Sequence, residues 1–308
     1  MTSSLVLFCA LILDAIFGEP KWLWSHLPHP AVLMGRFIGW ADTQFNTGQH
    51  RKAKGIAVLI ALICIGGAAG YVIALVPYLD ILAAAILIAH KSLVQHVKAV
   101  AKGLEKSIED GRQAVAMIVG RDTRDMDTAA VARAAIESAA ENFSDGVIAP
   151  VFWFLIGGLP GLVIYKMVNT ADSMIGYLTP KHADFGWASA RFDDLLNFVP
   201  ARLTMVVLLP LGGHSLAILR AVAQDAAKHR SPNAGWPEAA ISRSLGVALS
   251  GPRAYNGTLQ SYDWVNATAR QDAQISDIYA ACHRLWLAWV MVVVASLILS
   301  LWNIFLLV

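Results

Sequence analysis

Long apolar runs alternate with polar segments along the chain, and the length of each run decides what it can form. The two longest, residues 55–76 and 285–308, each hold about the 20 apolar residues that a helix needs to cross a bilayer. A third run, residues 79–95, turns polar towards its end, and we predict that it returns through the membrane as the second arm of a hairpin. The first apolar stretch, residues 3–18, predicts a short helix that is retained, because it has neither a basic start nor a cleavage site.

Glycine and proline interrupt two further apolar runs, residues 147–168 and 203–220. Each arm is then only about eight to ten residues long, which is too short to span a bilayer as a helix. These runs form either two kinked spanning helices or two re-entrant hairpins, since non-helical backbone at membrane depth needs protein or a water-filled cavity around it. The hairpin alternative returns the polar segment 169–202 to the side from which it came. The second break is predicted at Pro210, Gly212 and Gly213.

These runs predict an all-α integral membrane protein, with about four to six transmembrane helices in a single polytopic domain over residues 1–308. The composition agrees, since 56% of the residues are hydrophobic and 15% are charged, against about 25% charged residues in soluble domains. The net charge of +2 gives no overall basic field, which argues against a nucleic acid partner.

Basic residues set the predicted orientation. Arginines and lysines concentrate in three polar segments, residues 36–54, 96–146 and 221–284, and an excess of such residues marks loops on the cytoplasmic side. With residues 169–202 on the same side, the large polar loops all face the cytoplasm. Both chain ends then lie on the opposite side.

The stretch RDTRDMDTAAVARAAIESAAENFSDG predicts a helix with candidate metal ligands on one face. Asp125 or Asp127 can cap its first turn. Arg133, Glu137 and Glu141 then recur every four residues along that face. They form either a solvated face with an Arg133–Glu137 ion pair or a set of hard oxygen ligands of the kind that Mg²⁺ takes beside substrate phosphates.

The segment RFDDLLN places Arg191, Asp194 and Asn197 at helical spacing, just ahead of an apolar run. Asp172 lies at the boundary of the preceding apolar run. A charge at membrane depth costs about 2.5–3.5 kcal/mol, so such residues tend to pair or to line a functional cavity. We therefore expect these acids and arginines to face a shared polar cleft.

Two loops add further candidates. His26 and His29 stand in a proline-rich first loop and are either structural residues, ligands or acid–base groups. Around Asn233 and Trp236, the segment SPNAGWPEAA predicts either a capped helix start or a polar and aromatic wall for a large flat ligand. The chain contains no P-loop and no dinucleotide-binding glycine motif, so a bound nucleotide is held in another way.

Several long motifs occur in register along the chain: LDAIFGEP, HPAVLMGRFI, RDTRDMD, ARAAIESAAENFSDGVIAPVFW, NTADSMIGY, FGWASARFDDLLNFVPARLT and SPNAGWPEAA. In this order they resemble the CobD/CbiB family of cobalamin-biosynthesis membrane proteins, and the match runs from Leu13 to about Tyr255. Glu19 is a departure, because the family more often has aspartate there, but it retains a carboxylate.

The resemblance implies a multi-pass enzyme of the bacterial inner membrane. It would join the remaining propionate carboxylate of adenosylcobyric acid to the amine of (R)-1-aminopropan-2-ol O-phosphate, or of the free amino alcohol, giving adenosylcobinamide phosphate. It also implies ATP as cosubstrate and Mg²⁺ as cofactor, with the corrinoid as substrate. The lipid bilayer is the expected surrounding, and contacts with other late cobalamin-pathway membrane enzymes, or a homo-oligomer, are left open.

Under this resemblance the candidate side chains fall into three sets, and the sequence does not decide which acid does which task. Acid–base catalysis is expected from Glu137, Glu141, Asp172, Asp193 and Asp194. Mg²⁺ ligands are expected among Glu137, Glu141, Asp145, Asp172 and Asp194. Substrate and phosphate contacts are expected from Arg36, Arg121, Arg124, Arg191, Arg202, Asn142, Asn169, Asn197, Asn233, Trp236 and His29.

A protein of a different class is the alternative: a non-catalytic corrinoid-binding or sensory membrane subunit on the same scaffold. A pure binder has no need of so many carboxylates beside arginines, because the acids repel phosphate unless a metal intervenes. A transporter is disfavoured, since the hydropathy shows no repeated halves.

Overall fold

The computed structural model describes residues 2–210, 213–255 and 258–306. These residues are largely helical, which confirms the predicted all-α class. The helices are α1 (Ser3–Phe17), α2 (Lys21–Trp24), α3 (Pro30–Phe45), α4 (Arg51–Ala74), α5 (Leu79–Leu87), α6 (His90–Lys106), α7 (Ile108–Ala116), α8 (Thr128–Phe143), α9 (Ala149–Ile175), α10 (Trp187–Leu208), α11 (Leu216–Ala226), α12 (Gly235–Leu245) and α13 (Ile275–Phe305). A π-helical turn, Ser144–Ile148, joins α8 to α9.

Within the described residues, four helical stretches are long and apolar enough to cross a membrane: Arg51–Ala74, Leu79–Lys106, Thr128–Ile175 and Ile275–Phe305. The predicted runs 55–76, 79–95 and 285–308 fall on the first, second and fourth of these stretches. Residues 307 and 308 of the last run lie outside the described residues. The predicted N-terminal helix is α1, a shorter apolar helix.

The backbone of the run 147–168 leaves helical geometry at Gly158. This residue has a φ of 60° inside α9, a conformation that glycine adopts without the steric cost of a Cβ atom. Pro160 follows it and has no amide proton to donate to the helix. Asn169 and Tyr165, on the arm after this break, contact Asp145 before it at 3.4 and 3.2 Å, so the chain folds back at Gly158, which favours a helical hairpin over a kinked spanning helix.

The run 203–220 is divided between two helices. α10 ends at Leu208 and α11 begins at Leu216, so neither helix continues through the run. Gly212, one of the residues on which that prediction rested, lies outside the described residues.

The sequence predicts one polytopic domain, and the folded chain groups into two compact units. Unit 1 comprises Met1–Lys91, Asp145–Asn197 and Val293–Val308. Unit 2 comprises Ser92–Ser144 and Phe198–Val292. The candidate site residues divide between the two units.

α4 packs extensively against α9 in unit 1. Buried core residues of these helices include Leu59, Tyr165 and Val168. Gly66 and Gly70 lie four residues apart on α4, the spacing that lets two membrane helices approach closely. At Gly70 an added Cβ would lie 2.6 Å from the Cα atom of Pro160, so the backbone of α4 touches the kink of α9.

This contact predicts that Gly70→Ala destabilises unit 1. The methyl group would meet backbone atoms, which cannot rotate away, and overpacking of this kind costs about 1–3 kcal/mol. The measurement is the free energy of unfolding in detergent. Gly157→Ala is the matched control, because a Cβ at Gly157 has no neighbour within 4 Å. Equal stabilities of the two variants would contradict the close approach.

Short strands in unit 2 bring a loop against α8. Asp127 caps α8, since its Oδ1 accepts the Ala130 N–H at 2.7 Å. β1 (Leu249–Ser250) pairs antiparallel with β4 (Trp264–Val265) and packs against α8. β2 (Arg253–Tyr255) pairs antiparallel with β3 (Thr258–Gln260). The strands place Ser250 and Arg253 beside the acidic face of α8.

Candidate functional site

A carboxylate cluster forms in unit 1 where the π-helical turn, α9 and α10 meet. Asn169 of α9 donates from Nδ2 to Asp145 Oδ2 at 3.4 Å and to Asp193 Oδ1 at 3.2 Å. Asn197, one turn after Asp193 on α10, donates from Nδ2 to Asp193 Oδ2 at 2.9 Å. Two amides thus hold the buried Asp193 carboxylate from both sides. π-helical turns often occur at functional sites, and this one carries Asp145.

A fully buried tyrosine fixes the orientation of one of these amides. The hydroxyl of Tyr165 lies 3.0 Å from Asn197 Oδ1, and this contact directs the amide nitrogen of Asn197 towards Asp193. The same hydroxyl lies 3.2 Å from the backbone oxygen of Asp145. The cluster is therefore positioned by a polar network before any ligand arrives.

The electrostatics of the cluster favour a proton on Asp193 near neutral pH. Burial raises the pKa of Asp193 to about 7, and the negative charge of Asp172 adds to the effect against the hydrogen bonds from Asn169 and Asn197. The ammonium of Lys166 acts electrostatically on Asp193 and on other acids of the cluster. A carboxyl group with a pKa near the working pH is suited to general acid–base catalysis.

The neighbouring Asp194 has a different environment. It is part-exposed and pairs with the exposed Arg191, with the two charged groups 3.7 Å apart. Burial raises its pKa, and the charge of Arg191 opposes that effect. The two adjacent acids therefore divide into an inner carboxyl group, Asp193, and an outer one, Asp194.

An arginine cluster forms in unit 2 around Glu137 of α8. Arg121 donates from Nη2 to Glu137 Oε2 at 2.6 Å, and both side chains are 9% exposed. The Ser250 N–H donates to Glu137 Oε1 at 2.7 Å. The guanidinium of Arg253 lies 3.6 Å from Glu137 Oε2. One buried carboxylate thus gathers two arginines and a backbone donor.

A cavity of about 210 Å³ opens beside this cluster, and its lining includes Arg121, Arg133, Ser250 and Arg253 together with the aspartates of the RDTRDMD motif. Ser250 has a φ of 64°, which is uncommon for a residue with a Cβ atom. Strained backbone of this kind clusters at ligand sites. Planar guanidinium groups bind phosphate and carboxylate through paired hydrogen bonds, so the arginines offer anion contacts on one side of a cavity whose other side carries the aspartates.

The model of one protein family matches residues 7–285 of the chain, and that family is described as CobD/CbiB protein. The chain belongs to the CobD/CbiB family. Cobalamin biosynthesis protein CobD of Rhizobium meliloti is 44% identical, over 92% of this chain and 95% of the relative. The protein of the same name from Brucella suis is 44% identical, over 92% of each chain. That of Rhodobacter capsulatus is 41% identical, over 99% of this chain and all of the relative. No solved structure matches the chain.

The remaining residues predicted for this CobD/CbiB member are spread over both units. Arg202 donates to Asn233 Oδ1 at 2.6 Å, and its guanidinium lies 4.6 Å from the ring centre of Trp236. These three predicted residues of unit 2 therefore contact one another. Glu141 and Asn142 are exposed at the end of α8, with Asn142 donating to Ser138 O.

Three further residues that were predicted to contact substrate or phosphate lie outside the hydrogen-bond networks described for the two clusters. Arg36 of unit 1 and Arg124 of unit 2 are exposed. His29 caps α3, since its Nδ1 accepts the Ala31 N–H at 3.2 Å. Burial lowers the pKa of His29, so the ring is neutral, and the proton is on Nε2. Nε2 is buried and has no hydrogen-bond partner among the described residues.

The acids of unit 1 offer oxygen donors for the implied magnesium ion. Within the described residues, no group of three or more His, Cys, Asp or Glu side chains has the arrangement of a metal site. Mg²⁺ usually binds one or two carboxylates and completes its shell with waters and substrate phosphates. Asp145 and Asp172 offer hard oxygen donors of that kind in the carboxylate cluster. The donor chemistry therefore fits Mg²⁺ in its usual partly hydrated form, and the metal role of these acids stays a prediction.

Sequence reasoning missed four residues of these clusters. Lys166 carried a usable signal, because a lysine inside the apolar run GLVIYKMV is costly unless it serves a site. Tyr165 stands in the same run and looked like a core aromatic residue. Arg253 carried no local signal, since its partner Glu137 is distant in sequence. Glu238 matched the pattern of an acid in the first turn of a helix.

Glu238 lies buried in unit 2 and is 4% exposed. Its Oε1 has no hydrogen-bond partner among the described residues, and its Oε2 is 3.8 Å from His229 Nε2. Burial raises the pKa of Glu238 from 4.5 to about 8, and the charges of Glu137 and Glu141 add to this rise against Arg253.

This shift predicts how stability depends on pH. The unfolded chain releases the Glu238 proton near pH 4.5 and the folded chain only near pH 8, so rising pH favours unfolding across that window. Glu238→Gln removes the effect. We expect its thermal midpoint to match that of the natural protein near pH 4.5 and to exceed it at pH 8 and above. The exposed acid Glu109 supplies the control variant Glu109→Gln, and parallel pH curves for all three proteins would contradict the prediction.

Proposed function

We propose that this protein is an adenosylcobinamide-phosphate synthase, an ATP-dependent acid–amine ligase of cobalamin biosynthesis. It would join the propionate carboxylate of adenosylcobyric acid to the amine of aminopropanol O-phosphate. Membership of the CobD/CbiB family, and relatives named cobalamin biosynthesis protein, support a role in that pathway. The observation that supports the chemistry is the buried Asp193, held by two amides and titrating near neutral pH.

The reaction needs activation, because a carboxylate does not condense with an amine at neutral pH. In the proposed sequence a carboxylate oxygen attacks the terminal phosphate of ATP, forming an acyl phosphate and releasing ADP. The amine nitrogen then attacks the acyl carbon. The C–O bond to phosphate breaks, inorganic phosphate leaves, and the nitrogen loses a proton.

Asp193 is the proposed acceptor of that proton. Its carboxyl group is ionised above pH 7, and its two hydrogen-bonded amides fix its position. A positioned base with a pKa near the working pH contributes about 10²–10⁴ in rate. Asp145 and Asp172 are the proposed oxygen donors to Mg²⁺, which when bound would offset the charge of the transferring phosphoryl group.

The arginine cluster of unit 2 is proposed to bind an anionic group of a substrate. Arg121 and Arg253 are held by Glu137, and Arg133 lines the same cavity. Donors that are fixed in advance stabilise charge without rearranging during the reaction. The proposal also includes a bacterial inner-membrane location, with the polar loops facing the cytoplasm.

Isotope transfer tests the activation step. Adenosylcobyric acid labelled with ¹⁸O in its propionate carboxylate is incubated with the detergent-purified protein, aminopropanol O-phosphate, ATP and Mg²⁺. An acyl phosphate leaves one ¹⁸O atom in the released inorganic phosphate. Label in AMP would replace the phosphoryl step with adenylyl transfer. Formation of the amide without ¹⁸O in inorganic phosphate or in AMP would overturn activation by ATP. Corrinoid binding without any product would favour the non-catalytic subunit.

A further inference from the structure

Unit 2 contains a second cavity, of about 130 Å³, which shares Ser250 and Arg253 with the larger cavity beside Glu137. Its lining includes three cationic side chains, Lys228, Arg230 and Arg253, beside Tyr262 and one acid, Asp263. None of the arginines predicted from the sequence to bind phosphate is among them. We call it the basic cavity and define it by Lys228, Arg230, Arg253 and Tyr262.

The aromatic ring of Tyr262 holds two arginines in place. The guanidinium carbon of Arg230 lies 4.8 Å from the ring centre and that of Arg253 lies 4.9 Å from it. Such contacts between a cation and a ring face are attractive. The Tyr262 hydroxyl donates to Gln260 Oε1 at 2.8 Å, and Arg230 Nη2 reaches the same oxygen at 3.3 Å. Two like charges therefore converge on one side chain.

The charges around the cavity are unequally compensated. Lys228 is 2.6 Å from Asp225, and Arg253 is 3.6 Å from Glu137. Arg230 has no carboxylate within ion-pair distance among the described residues, and the oxygen it contacts belongs to a neutral amide. Asp263 lines the cavity but is exposed.

His229 adds no charge to the cavity. Its Nδ1 accepts the Ser231 N–H at 3.0 Å, which requires that nitrogen to be unprotonated. Burial also lowers the pKa of His229. Among the described residues, the charge of this cavity that no carboxylate offsets is therefore that of Arg230, which lies beside the paired Lys228 and Arg253.

We propose that the basic cavity binds a terminal phosphate dianion. Planar guanidinium forks match phosphate oxygens, and a volume of about 130 Å³ equals that of roughly four waters at about 30 Å³ each. The cavity thus admits a phosphate group while the rest of the ligand stays outside. An O-phosphorylated amino alcohol and a nucleotide both carry this group. Which of these two ligands supplies the phosphate depends on the proposed function. That the cavity binds a phosphate group does not depend on it.

Binding without turnover tests the proposal. The full-length protein in detergent is titrated with three probes in separate arms: inorganic phosphate, O-phosphoethanolamine and the non-hydrolysable nucleotide AMP-PNP. Arg230→Gln is expected to weaken phosphate binding by about tenfold to a hundredfold, as the loss of a charge-assisted hydrogen bond does, and Arg230→Lys should recover part of it. Arg220→Gln, an exposed arginine on α11 of the same unit, is the control and should bind as the natural protein does.

The three arms separate the sources. A selective loss of O-phosphoethanolamine binding assigns the cavity to an amino alcohol phosphate, and a selective loss of AMP-PNP binding assigns it to a nucleotide. Unchanged affinities for all three probes in a folded Arg230→Gln protein would overturn the proposal. If phosphate binding depends on Arg230 but the protein forms no amide, the proposal for the basic cavity stands and the synthase proposal is contradicted.

Discussion

Asp193→Asn lowers the rate of amide formation by about 10²–10⁴, the share of catalysis that a positioned base supplies. The asparagine side chain has nearly the same shape as aspartate, so it still packs against the amides of Asn169 and Asn197. Its amide group, however, cannot accept the proton from the amine. The natural protein should also show a rate that rises with pH through about 7, the pKa of Asp193. The variant should lack that rise.

The control for this experiment is Asp184→Asn, which changes an exposed acid of the same unit. It should keep the full rate and the pH profile of the natural protein. Thermal unfolding of the Asp193 variant checks that the fold is intact. A folded Asp193→Asn protein with the natural rate and profile would remove Asp193 from the mechanism.

Glu137→Gln should destabilise unit 2 by about 3–5 kcal/mol, the cost of leaving a buried charge without its partner. The carboxylate of Glu137 is 2.6 Å from Arg121 and 3.6 Å from Arg253, and the Ser250 N–H also donates to it. The neutral amide leaves both guanidiniums without a buried counter-charge. The free energy of unfolding in detergent measures the effect.

A double-mutant cycle separates the ion pair from general damage. Arg121→Met combined with Glu137→Leu replaces the shortest pair with apolar side chains, and replacement of a whole buried pair costs less than loss of one partner. We therefore expect the double variant to be more stable than Glu137→Leu alone. Additive losses in the cycle would show that Arg121 and Glu137 do not interact, contrary to their 2.6 Å contact.

The membrane helices could be predicted because their length and apolarity are local properties of the sequence. The break at Gly158 was likewise visible as glycine and proline inside an apolar run. The cap at Asp127 followed from residue type and position. Each of these features depends on residues that are neighbours in the chain.

The candidate site was harder to predict because its geometry depends on packing between distant segments. Asp193 and Asp194 are adjacent in sequence, but the first is buried against Asn169 of α9 and the second is part-exposed. Helical spacing suggested that Glu137 pairs with Arg133, but the loop before α8 supplies Arg121 instead. Arg253 reaches Glu137 through short strands that have no clear sequence signal.

Reconstituted turnover tests the central claim most directly. The detergent-purified protein is supplied with adenosylcobyric acid, aminopropanol O-phosphate, ATP and Mg²⁺, and the product is detected by mass. We expect the amide adenosylcobinamide phosphate to form, and its formation to stop when either ATP or Mg²⁺ is omitted. Folded protein that binds the corrinoid and yields no amide under these conditions would contradict the synthase assignment.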